Sequence, residues 1–230
     1  KNLLSINIKA IKISSCNLTN YPFLKEAAKT KLPILLSTGM GNIEEVDKAV
    51  KIFKEANNPL LVFQCTSNYP SKIDNSNINV IKTYRDRYKV PIGLSDHTQN
   101  NIAAITAIVV GAVVIEKHFT ISRELPGIDQ NASIIPDELK QLVSDLKDSR
   151  LSLGSFEKFR SEEETDTFNA LRRSLVASKD ISSGEIIESD MISIMRPGSG
   201  LSTDYFDKIV GMKTKKYIKK YQLFKIEDLI

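Results

Sequence analysis

Five short apolar runs, each stopped by a polar cluster and followed by a stretch of helical length, constrain this chain more than any other feature. The runs cover residues 9–13, 33–36, 59–64, 90–94 and 112–115. Their closing clusters are Ser14-Ser15-Cys16-Asn17, Ser37-Thr38-Gly39-Met40-Gly41, Cys65-Thr66-Ser67-Asn68-Tyr69-Pro70, Ser95-Asp96-His97-Thr98 and Glu116-Lys117-His118-Phe119-Thr120. No hairpin signal separates successive runs, so they read as parallel strands joined by helices. Right-handed crossovers then bring the polar clusters to one edge of the sheet, where α/β folds gather ligands.

The intervening stretches vary in how clearly they read as helices. Asn42 followed by Glu45 predicts a capped start, and Ile43, Val46, Ala49, Val50 and Phe53 keep helical spacing. Residues 21–30 read as a helical stretch and 78–88 as a less patterned helix, while 101–110 are apolar almost throughout and long enough for one short helix. A further helix over 136–148 aligns Leu139, Leu142, Val143 and Leu146 and closes the first domain, residues 1–152. A closed eight-unit barrel takes about 250 residues, and this domain holds only five βα units. Either the sheet is open, or three units preceded Lys1; the missing initiator methionine favours a longer polypeptide.

The pattern changes after residue 152. Residues 153–170 lack apolar periodicity and read as a linker, and 171–230 as a small β-rich module with a turn at Ser182-Ser183-Gly184-Glu185.

At 230 residues, 41% hydrophobic and 26% charged, the composition is that of an ordinary globular chain. No segment reaches the apolar length of a membrane span and no leader opens the chain, so no membrane partner is expected and a cytoplasmic location is. Cys16 and Cys65 lack metal-type spacing and are expected to be free thiols. Lys213, Lys215, Lys216, Lys219 and Lys220 crowd together, but a net charge of +4 without interleaved aromatics reads as a solvated face rather than a nucleic-acid surface.

His97 and His118 are the only histidines. Each ends one strand of a strand-helix-strand unit, which makes them neighbours at one sheet edge. Two imidazoles so placed suggest a metal, although a pair of hydrogen-bonded loop histidines fits the same pattern. Asp96 could orient an imidazole or cap the next helix.

Six motifs carry a family resemblance: Lys12-Ile13-Ser14-Ser15, Leu36-Ser37-Thr38-Gly39-Met40, Cys65-Thr66-Ser67-Asn68-Tyr69-Pro70, Gly93-Leu94-Ser95-Asp96-His97-Thr98, Glu116-Lys117-His118-Phe119-Thr120 and Arg196-Pro197-Gly198-Ser199-Gly200. In this order they resemble the sialic acid synthase family, which includes legionaminate, pseudaminate and spore-coat polysaccharide synthases. The resemblance covers essentially the whole chain. It implies the last five βα units of a TIM (β/α)8-type barrel followed by an antifreeze-like SAF domain, with roughly a further third of the chain lying before Lys1.

The activity so implied is condensation of phosphoenolpyruvate with N-acetylmannosamine or a 2,4-diacetamido relative, giving a nonulosonic acid and phosphate. A related synthase with another aldehyde substrate, or a carbohydrate-binding remnant without catalysis, are the alternatives. By the same resemblance His97 and His118 ligate a divalent metal, Mn2+ or, second, Mg2+. Lys12, Ser15, Ser67, Tyr69 and Ser95 surround the phosphoenolpyruvate phosphate, and Asp129 lies by the sugar aldehyde and metal. Arg196 reaches the sugar's N-acyl end from the other subunit of a domain-swapped homodimer. Thr38-Gly39 is expected to turn tightly under the site. Asn17 departs from the pattern, since a glutamate often stands there; Cys16 beside it replaces a common glycine.

Overall fold

The computed structural model describes residues 6–230, which divide into two compact units, the first ending at Gly154 and the second running Ser155–Ile230. In the first unit, strands β1 (Ile11–Ile13), β2 (Ile34–Ser37), β3 (Leu60–Cys65), β4 (Ile92–Asp96) and β5 (Val114–Lys117) pair in parallel in chain order. Helices α1 (Tyr21–Lys29), α2 (Ile43–Glu55), α3 (Val80–Tyr88) and α4 (Ile102–Val110) connect them, and α5 (Pro136–Ser152) follows. β2 to β5 run further into the polar clusters than apolar character suggests. A parallel ladder is made by backbone groups, so it continues in register past the last apolar side chain, as in the pairing of Asp96 with Lys117.

Side chains alternate across the sheet, and the two faces have different tasks. Ile13, Ile34, Leu36, Val62, Ile92 and Leu94 face the helices and form one core with Leu24, Val46, Ala49, Val50, Phe53, Ile81 and Ala103. Lys12, Ser37, Phe63, Cys65, Ser95 and Glu116 occupy the alternate positions. On a flat sheet β1 and β5 would stand roughly 19 Å apart, at about 4.8 Å per neighbouring pair. Lys12 Nζ is nevertheless only 3.1 Å from Glu116 Oε1. The sheet therefore curls into an arc of a barrel, with the alternate face inside.

Local sequence explains the best-defined helix and one close approach in the sheet. The capping box at α2 is complete: Asn42 Oδ1 accepts from Glu45 N at 3.0 Å, and Asn42 N donates to Glu45 Oε2 at 2.9 Å. Gly93 in β4 is required by packing, since a Cβ there would lie 2.7 Å from the Phe63 ring and 2.8 Å from Val114 O.

The second unit is small and built on an antiparallel pair, β6 (Ser174–Ala177) with β7 (Ile192–Met195). Its core is Leu175, Ile181, Ile187, Ile209, Ile218 and Phe224, with Ile209 on the short helix α7 (Phe206–Ile209). The expected turn is present: Glu185 N donates to Ser182 O at 3.2 Å, and Gly184 has φ +81°. The residues read as a linker are not all irregular, for α6 covers Thr165–Leu171. Phe168 anchors it, with the Arg160 guanidinium 3.9 Å and that of Arg172 5.4 Å from the ring centroid. One aromatic clasped by two cations leaves no periodic stripe in the sequence. Among the described residues no helix is long and apolar enough to cross a membrane.

Phe53 is fully buried, so Phe53→Ala is expected to cost about 3–5 kcal/mol. Asn42→Ala removes one cap and is expected to cost about 1 kcal/mol. Denaturant unfolding of the two variants checks the ranking; equal losses would contradict the packing described for α2.

Candidate functional site

The arc's inner face delivers side chains from every strand to its C-terminal edge. From β1, Lys12 Nζ donates to Ser37 Oγ on β2 at 2.8 Å and pairs with Glu116 on β5. Glu116 Oε1 also accepts from Ser95 Oγ on β4 at 2.8 Å. One ammonium and one carboxylate thus join the two ends of the arc. Neither Ser37 nor Glu116 stands out as a site residue in the sequence. The available signal was alternation, since Glu116 lies two residues before His118 and so shares its face.

At and just beyond the strand ends, Cys65, Ser15 and Ser67 meet around the turn at Gly39. Gly41 N donates to Thr38 O at 3.1 Å, closing the expected turn. Gly39 N donates to Ser15 Oγ at 3.0 Å, Ser15 Oγ donates to Cys65 Sγ at 3.6 Å, and Ser67 Oγ is 3.9 Å from the same sulfur. A Cβ on Gly39 would stand 2.1 Å from Ser67 Oγ and 2.9 Å from Ser15 Oγ. Glycine is what lets both hydroxyls come this close to the turn. Both cysteines are free thiols, Cys16 exposed and Cys65 buried.

The histidines stand beside this cluster, and the Tyr69 ring packs against both. The His97 and His118 ring centroids are 5.2 Å apart, and Tyr69 lies 4.2 Å from the first and 5.3 Å from the second. His97 Nδ1 is 2.8 Å from Thr66 O. A carbonyl accepts only, so Nδ1 carries the proton and Nε2 keeps its lone pair. His118 Nδ1 is 3.7 Å from Asp129 Oδ2, which brings the expected carboxylate to the same place. Burial works against charge on both His97 and Cys65. That cost is outweighed only jointly, by the contact between the two side chains together with Thr66 O beside His97 and the Ser15 and Ser95 hydroxyls beside Cys65, which raise the imidazole and lower the thiol from their ordinary values.

Asp96 neither caps a helix nor contacts an imidazole directly. Its Oδ1 accepts from Thr98 N at 2.8 Å and its Oδ2 from Lys117 Nζ at 2.7 Å. Asn17 is spent locally, with Nδ2 on Ser14 Oγ at 3.4 Å and Oδ1 accepting from Asn20 Nδ2 at 3.3 Å. Arg196 is exposed at the end of β7 in the second unit. Among the described residues no group of three or more His, Cys, Asp or Glu side chains forms a cage for a metal ion. A cation held by His97 and His118 would need oxygen ligands from outside these side chains.

The likeness to known proteins spans both units. Residues 1–158 match the NeuB family and residues 172–230 the SAF domain. An N,N'-diacetyllegionaminic acid synthase of Legionella pneumophila is 37% identical over 92% of this chain and 61% of its own length. Among solved structures, the sialic acid synthetase of Leptospira borgpetersenii in complex with citrate matches with TM-score 0.67 and 35% identity, over 72% of this chain and 58% of that one. A putative spore coat polysaccharide biosynthesis protein E from Chromobacterium violaceum matches with TM-score 0.77 and 28% identity, over 99% and 69%. The chain thus spans about three fifths of the Legionella enzyme. The barrel arc, the edge on which its polar groups converge and these matches together make the chain a member of the NeuB family that carries a SAF domain.

Proposed function

We propose that this chain forms the larger part of a synthase that condenses phosphoenolpyruvate with an N-acetylated hexose, N-acetylmannosamine or a 2,4-diacetamido relative, to a nonulosonic acid and phosphate. The observation that carries the proposal is the meeting, on one strand edge, of an ammonium-and-hydroxyl cluster with a histidine pair. A dianionic phosphate calls for the first and a carbonyl electrophile for the second.

Lys12 and the hydroxyls of Ser15, Ser67, Tyr69 and Ser95 are the donors for phosphoenolpyruvate. Lys12 is held by Glu116 until an anion replaces that contact. The residues fit a divalent metal in one respect: with Nδ1 donating to Thr66 O, His97 Nε2 keeps a lone pair. His97 and His118 would hold Mn2+ in preference to Mg2+, because two imidazoles completed by oxygen donors suit the softer ion. When bound, the metal would supply Lewis-acid polarisation of the sugar's aldehyde oxygen. C3 of phosphoenolpyruvate attacks the aldehyde carbon, water adds at C2, and collapse of the tetrahedral centre expels phosphate. Asp129 steadies His118 and borders the aldehyde. The SAF domain is assigned to a homodimer in which Arg196 reads the N-acyl carbonyl bound by the partner's barrel. Free thiols accord with a cytoplasmic setting. Asn17, neutral where the family often has glutamate, favours an acceptor sugar recognised without that charge.

Phosphate release by the complete gene product, with Mn2+ and a panel of 2-acetamido and 2,4-diacetamido hexoses, tests the proposal. Release that needs both sugar and metal is expected, and a chelator abolishes it. His97→Ala is expected to lower turnover by more than the ~10–100-fold that loss of an outer partner of a metal ligand causes. Undiminished turnover in that variant would remove the metal from the reading. Gly39→Ala, which crowds Ser67 and Ser15, is expected to raise KM for phosphoenolpyruvate more than it lowers kcat. An unchanged KM would take those hydroxyls out of the phosphate site.

A further inference from the structure

We propose that the buried ion pair Asp96–Lys117 is a brace that sets the spacing and orientation of His97 and His118. The proposal rests on the metal reading of those histidines and adds two positioning residues to it. Asp96 and Lys117 are direct partners in the β4–β5 ladder. Their side chains are 1% and 6% exposed and lie on the helix side of the sheet. The next residue on each strand is a histidine, and alternation turns it to the inner face. Tying Asp96 to Lys117 therefore fixes the two backbone points from which the imidazoles project.

The tie extends beyond one contact. Lys117 Nζ donates to Asp96 Oδ2 at 2.7 Å, to Thr98 O at 2.6 Å and to Asn100 O at 3.5 Å. Asp96 Oδ1 accepts from Thr98 N at 2.8 Å. One ammonium thus gathers the segment on both sides of His97, whose other holds are Thr66 O at His97 Nδ1 and Ser71 N donating to His97 O at 2.8 Å. Burying two charges is costly, and an apolar pair of similar volume often gives equal stability. Such a pair would not hold the Thr98 and Asn100 carbonyls. The charges make better sense as a device for position than for stability.

The test compares the wild type, the apolar double variant Asp96→Leu/Lys117→Met and the milder Asp96→Asn, all in the complete gene product. Mn2+ affinity is read from the paramagnetic resonance of free Mn2+. The imidazole 15N spectrum is recorded without metal, where the wild type is expected to show His97 as a single Nδ1–H tautomer. Both variants are expected to bind Mn2+ about 10–100-fold more weakly and to mix the His97 tautomers. A double variant that melts like the wild type yet keeps its Mn2+ affinity and His97 signals would overturn the brace. If that variant does not fold, Asp96→Asn decides by the same two readings. If the wild type itself binds no Mn2+, the metal reading fails, and the metal-free spectra alone decide the brace: unchanged signals overturn it, mixed tautomers uphold it.

Discussion

The parallel, in-register backbone ladder of β1 to β5 is the constraint on which everything else in the first unit depends. Because its side-chain period is two, each strand divides its residues between a face that buries Ile, Leu and Val under helices and a face that carries chemistry. A slip of one residue in β4 would send Ser95 and His97 into the helix layer and bring Leu94 and Asp96 to the inner face. The apolar core thus holds the polar site in register.

The same ladder explains how charged groups persist so close together. Lys12, Glu116 and Ser95 neutralise and hydrogen-bond one another on the inside of the arc, while Asp96 and Lys117 do so on its outside. The outer pair is nearly water-free and the inner pair is about one third exposed. Burial favours a fixed pairing on the outside, whereas a carboxylate and an ammonium that still touch water can exchange partners when an anion arrives.

Much of this was legible in the sequence because it depends on local pattern. The five runs, the Asn42–Glu45 cap and the placement of both histidines immediately after strands follow from apolar runs, capping chemistry and βα order. The roles of Ser37, Cys65 and Glu116 did not, since each becomes visible only once the arc brings non-adjacent strands together. Asp96 illustrates the limit well. Its position beside His97 invites pairing with the imidazole, but its carboxylate is taken by a lysine 21 residues away in sequence. The helix at Thr165–Leu171 leaves no sequence signal for a related reason, being anchored by Phe168 and its two arginines rather than by a stripe.

The arc has two outer rims. Along the free sides of β1 and β5 the backbone amides and carbonyls have no strand partner among the described residues. Such rims are adhesive, and any extended segment presented to them can add a rung. The colloidal behaviour of this stretch is therefore governed by what lies along those rims. A neighbouring part of the same polypeptide would satisfy them at any dilution, whereas a second molecule would do so increasingly as concentration rises.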